Sequence, residues 1–343
     1  MSERREAGIP PSSERGPSGP VPEAPGAERM SDELRFDGKV VVVTGAGRNL
    51  GREYALLFAA RGAQVLVNDL GVGISDTDGV AAAPTSPPAD DVVAEIVAAG
   101  GSALANRDTV ATPEGGAAIV DAALDAFGTV DVVVNNAGQV RMAPFTELTE
   151  AQLDAVIDTQ LRGALNVSRP AWAVMAERGG GRFVNVSSGA AFGGVPGGAV
   201  YGMAKMGVIG LTLAMASEGR DAGIVANVIA PYAKTRPETG FGPFPASAEL
   251  NAWLHPRLVA PLVGWLAHEA CPVTGECFSV GGGHYARVSL EITHGLVDRD
   301  ASIERIAAGA SEILDSARAP VAGAQGSSAM RRMFEGFRPA GAG

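Results

Sequence analysis

Residues 39–71 read KVVVVTGAGRNLGREYALLFAARGAQVLVNDLG. Four consecutive valines, Val40 to Val43, followed by a glycine-rich turn are the pattern of a strand buried on both faces. From Leu50 onward the apolar residues return at helical spacing until Gly62 stops them. A second apolar strand, AQVLVND, closes on Asp69. Strand, turn, helix and strand in that order predict a parallel βαβ unit. The free N–H groups at the start of its helix face whatever lies on the turn, which suits a pyrophosphate. Asp69, eighteen residues beyond Gly51, is placed to accept hydrogen bonds from ribose hydroxyls. Gly45, Gly47 and Gly51 are spaced G-x-G-x-x-x-G, which departs from the common G-x-G-x-x-G turn.

The same alternation continues outward. ADDVVAEIVAAGG reads as helix, SALANR as strand, GGAAIVDAALDAFG as helix and VDVVV as strand, with long helices around Gln160 and Tyr201. This predicts an α/β fold, a doubly wound parallel sheet in a single domain, with ligands beyond the carboxyl ends of the strands. Residues 1–34, rich in Pro, Gly, Glu and Arg, read as a disordered tail, and residues 35–285 as the domain. Residues 286–343 form an extension in which DRDASIERIAAGASEILDSA is a candidate amphipathic helix before a flexible end. The segment from Gly71 to Ala89 has no periodicity and much Gly, Pro and Asp, as functional or mobile loops do.

A second constellation lies further along. Tyr201 and Lys205 are four residues apart in AVYGMAKMGVIGL, so a helix stacks them on one face. A tyrosine ionises at about pH 10, and a neighbouring ammonium lowers that value toward a usable base. Ser188, thirteen residues before Tyr201 and at the end of RFVNVSS, offers a hydroxyl to align a substrate oxygen. The plain alternative is a tyrosine packed on a helix of an inactive fold. Ser188 and Lys205 in register weigh against it.

With these motifs in hand, residues 36–283 resemble the short-chain dehydrogenase/reductase family, whose fold is Rossmann-type. The family turn T-G-x-x-x-G-x-G is represented by Thr44, Gly45 and Gly51, with Asn49 where the middle glycine usually stands. Asparagine tolerates positive φ better than other side chains, so the turn can form. The N-N-A-G element appears as Asn135, Asn136, Ala137 and Gly138. The resemblance implies a catalytic Ser188, Tyr201 and Lys205, with Gln160 of TQLRG in place of the family's asparagine. It further implies cofactor contacts from Gly45, Gly47, Arg48, Asn49, Leu50, Gly51, Asp69, Asp108, Thr109, Asn135, Ala137, Gly138, Tyr201, Lys205, Pro231 and Thr235. Tyr232 follows Pro231 where the family often has glycine. The longer stretches GREYALLFAARGAQVLVNDLG and LVAPLVGWLAHEACPVTGECFSVGGG resemble the (R)-3-hydroxyacyl-CoA dehydrogenase unit of type-2 peroxisomal multifunctional enzymes and its stand-alone bacterial relatives.

That resemblance implies an NAD(P)-dependent oxidoreductase acting between a secondary alcohol and a ketone, on a 3-hydroxyacyl thioester or a bulky cyclic alcohol. NAD is the expected cofactor, because Asp69 repels a 2′-phosphate, with NADP the alternative that Arg48 would favour. An NADPH-linked ketoacyl reductase and a catalytically degenerate nucleotide-binding scaffold are the rival readings. The helices around Gln160 and Tyr201 resemble those of the family's tetramer interface, implying a homo-oligomer, dimer or tetramer.

Composition agrees with such an enzyme. The net charge of −11 argues against nucleic acid or an anionic membrane as partner. No apolar stretch is expected to span a membrane, and the amino terminus lacks an apolar leader core. His268, Cys271, Cys277 and His284 can be written as a metal set, but C-x5-C is not a usual zinc spacing, so no metal is expected. The two cysteines are read as reduced thiols at a surface turn, in a cytoplasmic protein.

Overall fold

The computed structural model describes residues 33–71, 87–233, 253–291, 293, 295–315 and 321–322. Strand β1 (Val40–Thr44) has no polar face, and it sits at the middle of a sheet. Its side chains alternate between two cores: Val41 and Val43 pack on one side, Val40 and Val42 on the other. It pairs in parallel with β2 (Gln64–Asn68) and β4 (Val132–Asn135), so that Val42 lies opposite both Leu66 and Val133.

The full sheet has eight strands in the order β3-β2-β1-β4-β5-β6-β7-β8. Strands β3 (Ser102–Asn106), β5 (Gly181–Val186), β6 (Ile224–Pro231) and β7 (Cys277–Gly281) are parallel to the rest. Only β8 (His284–Val288) runs antiparallel, folded back on β7. One face carries helices α1 (Asn49–Ala60) and α2 (Pro88–Ala98) with Tyr54, Phe58 and Ile96 buried. The other carries α3 (Pro113–Phe127), where Ile119 and Val120 are buried.

Helix α4 (Glu150–Ile157) opens with a Thr149–Gln152 capping box and continues through a π turn, Asp158–Arg162, into α5 (Gly163–Glu177). After β5 come the short α6 (Ala190–Gly193) and α7 (Ala199–Glu218). Helix α8 (Ala260–Ala267) closes the first face with Leu262, Val263 and Leu266. The expected doubly wound fold is therefore present. The strand order reverses between β1 and β4, which opens a crevice at their carboxyl ends.

Four expectations are corrected. Helix α2 begins at Pro88, so the irregular segment is shorter than 71–89, and its residues 72–86 lie outside the described ones, as does nearly all of the 1–34 tail. Helix α7, with 20 residues and a mean hydropathy of 1.5, is long and apolar enough to cross a membrane by length and composition. Nearly half of it is packed inside the protein, where it forms part of the core behind β5 and β6. The helix expected over residues 298–317 is broken at Gly309 into α9 (Ile303–Ala308) and α10 (Ala310–Ile313), neither with a buried residue. The two cysteines are buried rather than at a surface turn.

Candidate active site

At the end of β1 the chain turns tightly. Asn49 has φ +49°, the only positive φ among described non-glycine residues, as its place in the turn demands. A Cβ at Gly45 would stand 2.8 Å from Ala137 Cα, and one at Gly51 would stand 2.2 Å from the Gly45 carbonyl oxygen. At Gly47 it would meet Pro88 at 2.5 Å and Asp69 Oδ2 at 2.8 Å. The three glycines are a cradle that any side chain would fill. Thr44 Oγ1 accepts from the N–H groups of Asn136 and Ala137, and Asn136 Nδ2 donates to the carbonyls of Thr44 and Gly45. These bonds tie the β1 turn to the β4 turn across the crevice.

Asp69 lies just beyond β2, one residue past its end. Its Oδ2 accepts from Gly47 N–H at 3.0 Å and its Oδ1 from Gly71 N–H at 2.9 Å, which aims the carboxylate and leaves each oxygen a further lone pair. Asp108 is exposed past β3, held by Asn106 Nδ2 at 2.7 Å. Thr109 Oγ1 accepts from Ala111 N–H, and Arg48 and Leu50 lie half-buried on the turn. Asn135 is buried at the end of β4. Both hydrogens of its amide go to Ser168 Oγ and Asn185 Oδ1 inside the protein. The glycine cradle, the amino terminus of α1 and the aimed Asp69 fit the adenosine diphosphate half of a dinucleotide.

The other half of the site joins β5 to α7. Lys205 is buried, and its Nζ donates to the Val186 carbonyl at 2.8 Å. Ser187 Oγ donates back to the Lys205 carbonyl at 2.7 Å. These two bonds fix Ser188, next in the chain, against the helix that carries Tyr201. Ser188 Oγ accepts from Ala190 N–H at 3.2 Å, and the Lys205 ammonium stands 5.8 Å from the centre of the Tyr201 ring. Burial holds the Lys205 amine down to about 7, well below its ordinary value of 10.5.

Gln160 lies inside the π turn, almost fully buried. Its Nε2 donates to the Gln139 carbonyl, its Oε1 has no partner, and its side chain lies against Gly138. Gln139, which sequence reasoning missed, reaches the opposite way: its Nε2 donates to the Ala155 carbonyl at 2.7 Å and to Thr159 Oγ1 at 2.9 Å. Only its place directly after N-N-A-G could have marked it. Pro231 ends β6 opposite Val280, and the Tyr232 phenol overlies Gly189, where a Cβ would stand 2.2 Å from its oxygen. Thr235 lies outside the described residues.

Two of the four candidate metal ligands have other partners. His268 bonds the Arg35 carbonyl and Ala270 N–H, and Cys271 contacts the Val273 carbonyl. Burial raises the Cys271 thiol and, with Glu276 nearby, pushes Cys277 up to about 12. Among the described residues no group of three or more His, Cys, Asp or Glu could hold a metal.

A doubly wound sheet with a glycine cradle at its crevice and a Tyr–Lys helix beside it defines a Rossmann-type, nucleotide-dependent enzyme. Residues 39–238 match the family model for short chain dehydrogenases, and the chain belongs to that family, whose members depend on nicotinamide cofactors. It is 45% identical over 270 residues to the peroxisomal multifunctional enzyme type 2 of Mus musculus, covering 79% of this chain and 35% of that protein. A putative short-chain type dehydrogenase/reductase of Mycobacterium tuberculosis is 43% identical, covering 83% of this chain and 97% of that one. A crystal structure of a short chain dehydrogenase from Mycobacterium avium superposes with TM-score 0.70 at 39% identity, covering 81% and 97% of the two chains. The chain spans only about a third of the length of the mouse multifunctional protein.

Proposed function

We propose that this enzyme interconverts a secondary alcohol and a ketone using NAD, with a 3-hydroxyacyl thioester or a bulky cyclic alcohol as substrate. The observation that carries the reading is the stitch between β5 and α7. Lys205 Nζ on Val186 and Ser187 Oγ on Lys205 bind the strand end that leads into Ser188 to the helix that carries Tyr201 and Lys205. Tyr201 takes the alcohol proton, Ser188 holds the oxygen and Lys205 stabilises the tyrosinate. Bound nicotinamide supplies the hydride acceptor or donor. Gly45, Gly47, Arg48, Asn49, Leu50, Gly51 and Asp69 would hold the adenosine diphosphate, with Asp108 and Thr109 past β3 on the adenine side and Ala137, Gly138 and Pro231 toward the nicotinamide.

Asp69 supports NAD over NADP, since a carboxylate fixed just past β2 would repel a 2′-phosphate. The resemblance to hydroxyacyl-CoA dehydrogenase units, and 34% identity to a 3-oxoacyl-[acyl-carrier-protein] reductase of Synechocystis, support the thioester. Leu165 on α5 and Met203 and Met206 on α7 are exposed, which supports assembly into dimers or tetramers through these helices. Two unbonded, buried thiols are compatible with the reducing cytoplasm, the proposed location. The test is calorimetry with both cofactors beside turnover of (R)-3-hydroxybutyryl-CoA and a panel of cyclic alcohols. NAD should bind at least about tenfold tighter than NADP, and Tyr201→Phe should lower turnover about 10²-fold to 10⁴-fold with NAD affinity kept. Tighter NADP, or full turnover by the phenylalanine variant, sinks the reading.

A further inference from the structure

The π turn at Asp158–Arg162 is the one wide turn among the described helices, and two glutamines cross at it. A π turn loosens the backbone ladder of a helix and tends to mark functional sites. Here the Ala155 carbonyl at its entrance accepts from Gln139 Nε2 at 2.7 Å and from Thr159 Oγ1 at 2.8 Å, while Gln139 Nε2 also reaches Thr159 Oγ1. In the opposite direction Gln160 Nε2 donates to the Gln139 carbonyl. Each side chain thus holds the other's backbone segment, and both bonds depend on the β4 exit lying beside this turn.

We propose that Gln139 and Gln160 form a two-way latch that positions Tyr201 and Lys205, so that Gln139 is a positioning residue of the active site. The route is physical and short. The next residue of the π turn, Leu161, packs on Gly207, where a Cβ would stand 3.0 Å from Leu161 Cδ2. Gly207 lies on α7, two residues beyond Lys205. On the other side of the latch, Gly138 faces the Gln160 side chain, with its Cβ position 3.0 Å from Oε1. The latch therefore sets the distance between the segment after β4, where the family reading places nicotinamide, and the helix that bears the base. Gln160 Nε2 is committed to Gln139, so this nitrogen acts here by holding the turn.

The latch as a device for turnover rests on the proposed alcohol–ketone chemistry; its existence as a device does not. Gln139→Met keeps the length of the side chain and removes its donor. Amide exchange over residues 155–162, read on the full chain without ligand, should speed up by about tenfold or more. With (R)-3-hydroxybutyryl-CoA and NAD, kcat should fall about tenfold, KM for NAD should stay within about threefold, and the rise of kcat with pH should move upward as Tyr201 loses its close lysine. Gln139→Glu, of the same shape but with no donor and a carboxylate against the Ala155 carbonyl, should lose more than the methionine variant and recover in part at low pH. If Gln139→Met does not fold, Thr159→Val removes one partner of the latch and is read in the same way. Unchanged exchange overturns the latch. Faster exchange with an unchanged pH profile and kcat overturns its link to Tyr201. Because exchange is measured without substrate, a protein that turns over no alcohol would refute the functional reading while leaving the latch decided on its own terms.

Discussion

A lysine amine buried inside a protein on a neutral carbonyl is an uncomfortable group, and Lys205 is in that position. Burial lowers it to about 7, against an ordinary value of 10.5. Between those values the unfolded chain binds more protons than the folded one, so stability rises with pH there; below pH 7 both states are charged and the cost is constant. The ligand-free protein should therefore gain up to about 1.4 kcal/mol of stability per pH unit from pH 7 to 9, as measured by urea unfolding. Lys205→Met should flatten that slope; an unchanged slope would mean that another group carries it. Cys277, raised to about 12 by burial, acts with the opposite sign only above the ordinary thiol range.

A second residue-scale consequence concerns Gly189, which has an ordinary φ of −57° and would accept alanine but for the Tyr232 phenol. Gly189→Ala should push that half-exposed ring aside and lower kcat/KM for bulky substrates, and adding Tyr232→Gly should restore it. Additive losses would show that the two positions act separately.

Among the elements, those with a strong period were legible in advance, and those shaped by distant contacts were not. The four valines of β1 and the helix after the glycine turn could be read because both faces of the strand and one face of the helix are buried. Asn49 could be read because the turn needs positive φ and asparagine supplies it. The π turn could not: Gln139, whose side chain and carbonyl are bonded at it, lies 21 residues before Gln160 in sequence. The buried duty of Asn135 was hidden for the same reason, since Ser168 and Asn185 come from other elements. In the extension, amphipathic spacing suggested one helix, but Gly309 packs on Leu296 and breaks it. No residue of α9 or α10 is buried, so Ile303→Ala should change unfolding free energy by about 1 kcal/mol or less and leave NAD affinity unaltered in calorimetry. A larger loss would show that these helices pack where their exposure says they do not.

At the scale of the whole molecule, the central pairing of β1 with β4 joins Val41 to Val132 across most of the first half of the domain. Such distant partners make the sheet slow to assemble, and its crevice exists only once it has. The π turn is a different matter. Its ring closes over one residue more than an α-helical ring, so the helical path from α4 to α5 carries a surplus residue. Elsewhere in a helix, losing one residue rotates everything downstream by about 100° and turns a buried face to water. Here, alone among the described helices, the loss restores a regular helix without disturbing α4 or α5. Deleting Thr159 should thus yield a protein that folds, with a thermal midpoint within about 5 °C of the parent, yet turns over at least about tenfold more slowly. The turn is a point in the chain where length is tolerated by the architecture and forbidden by the chemistry.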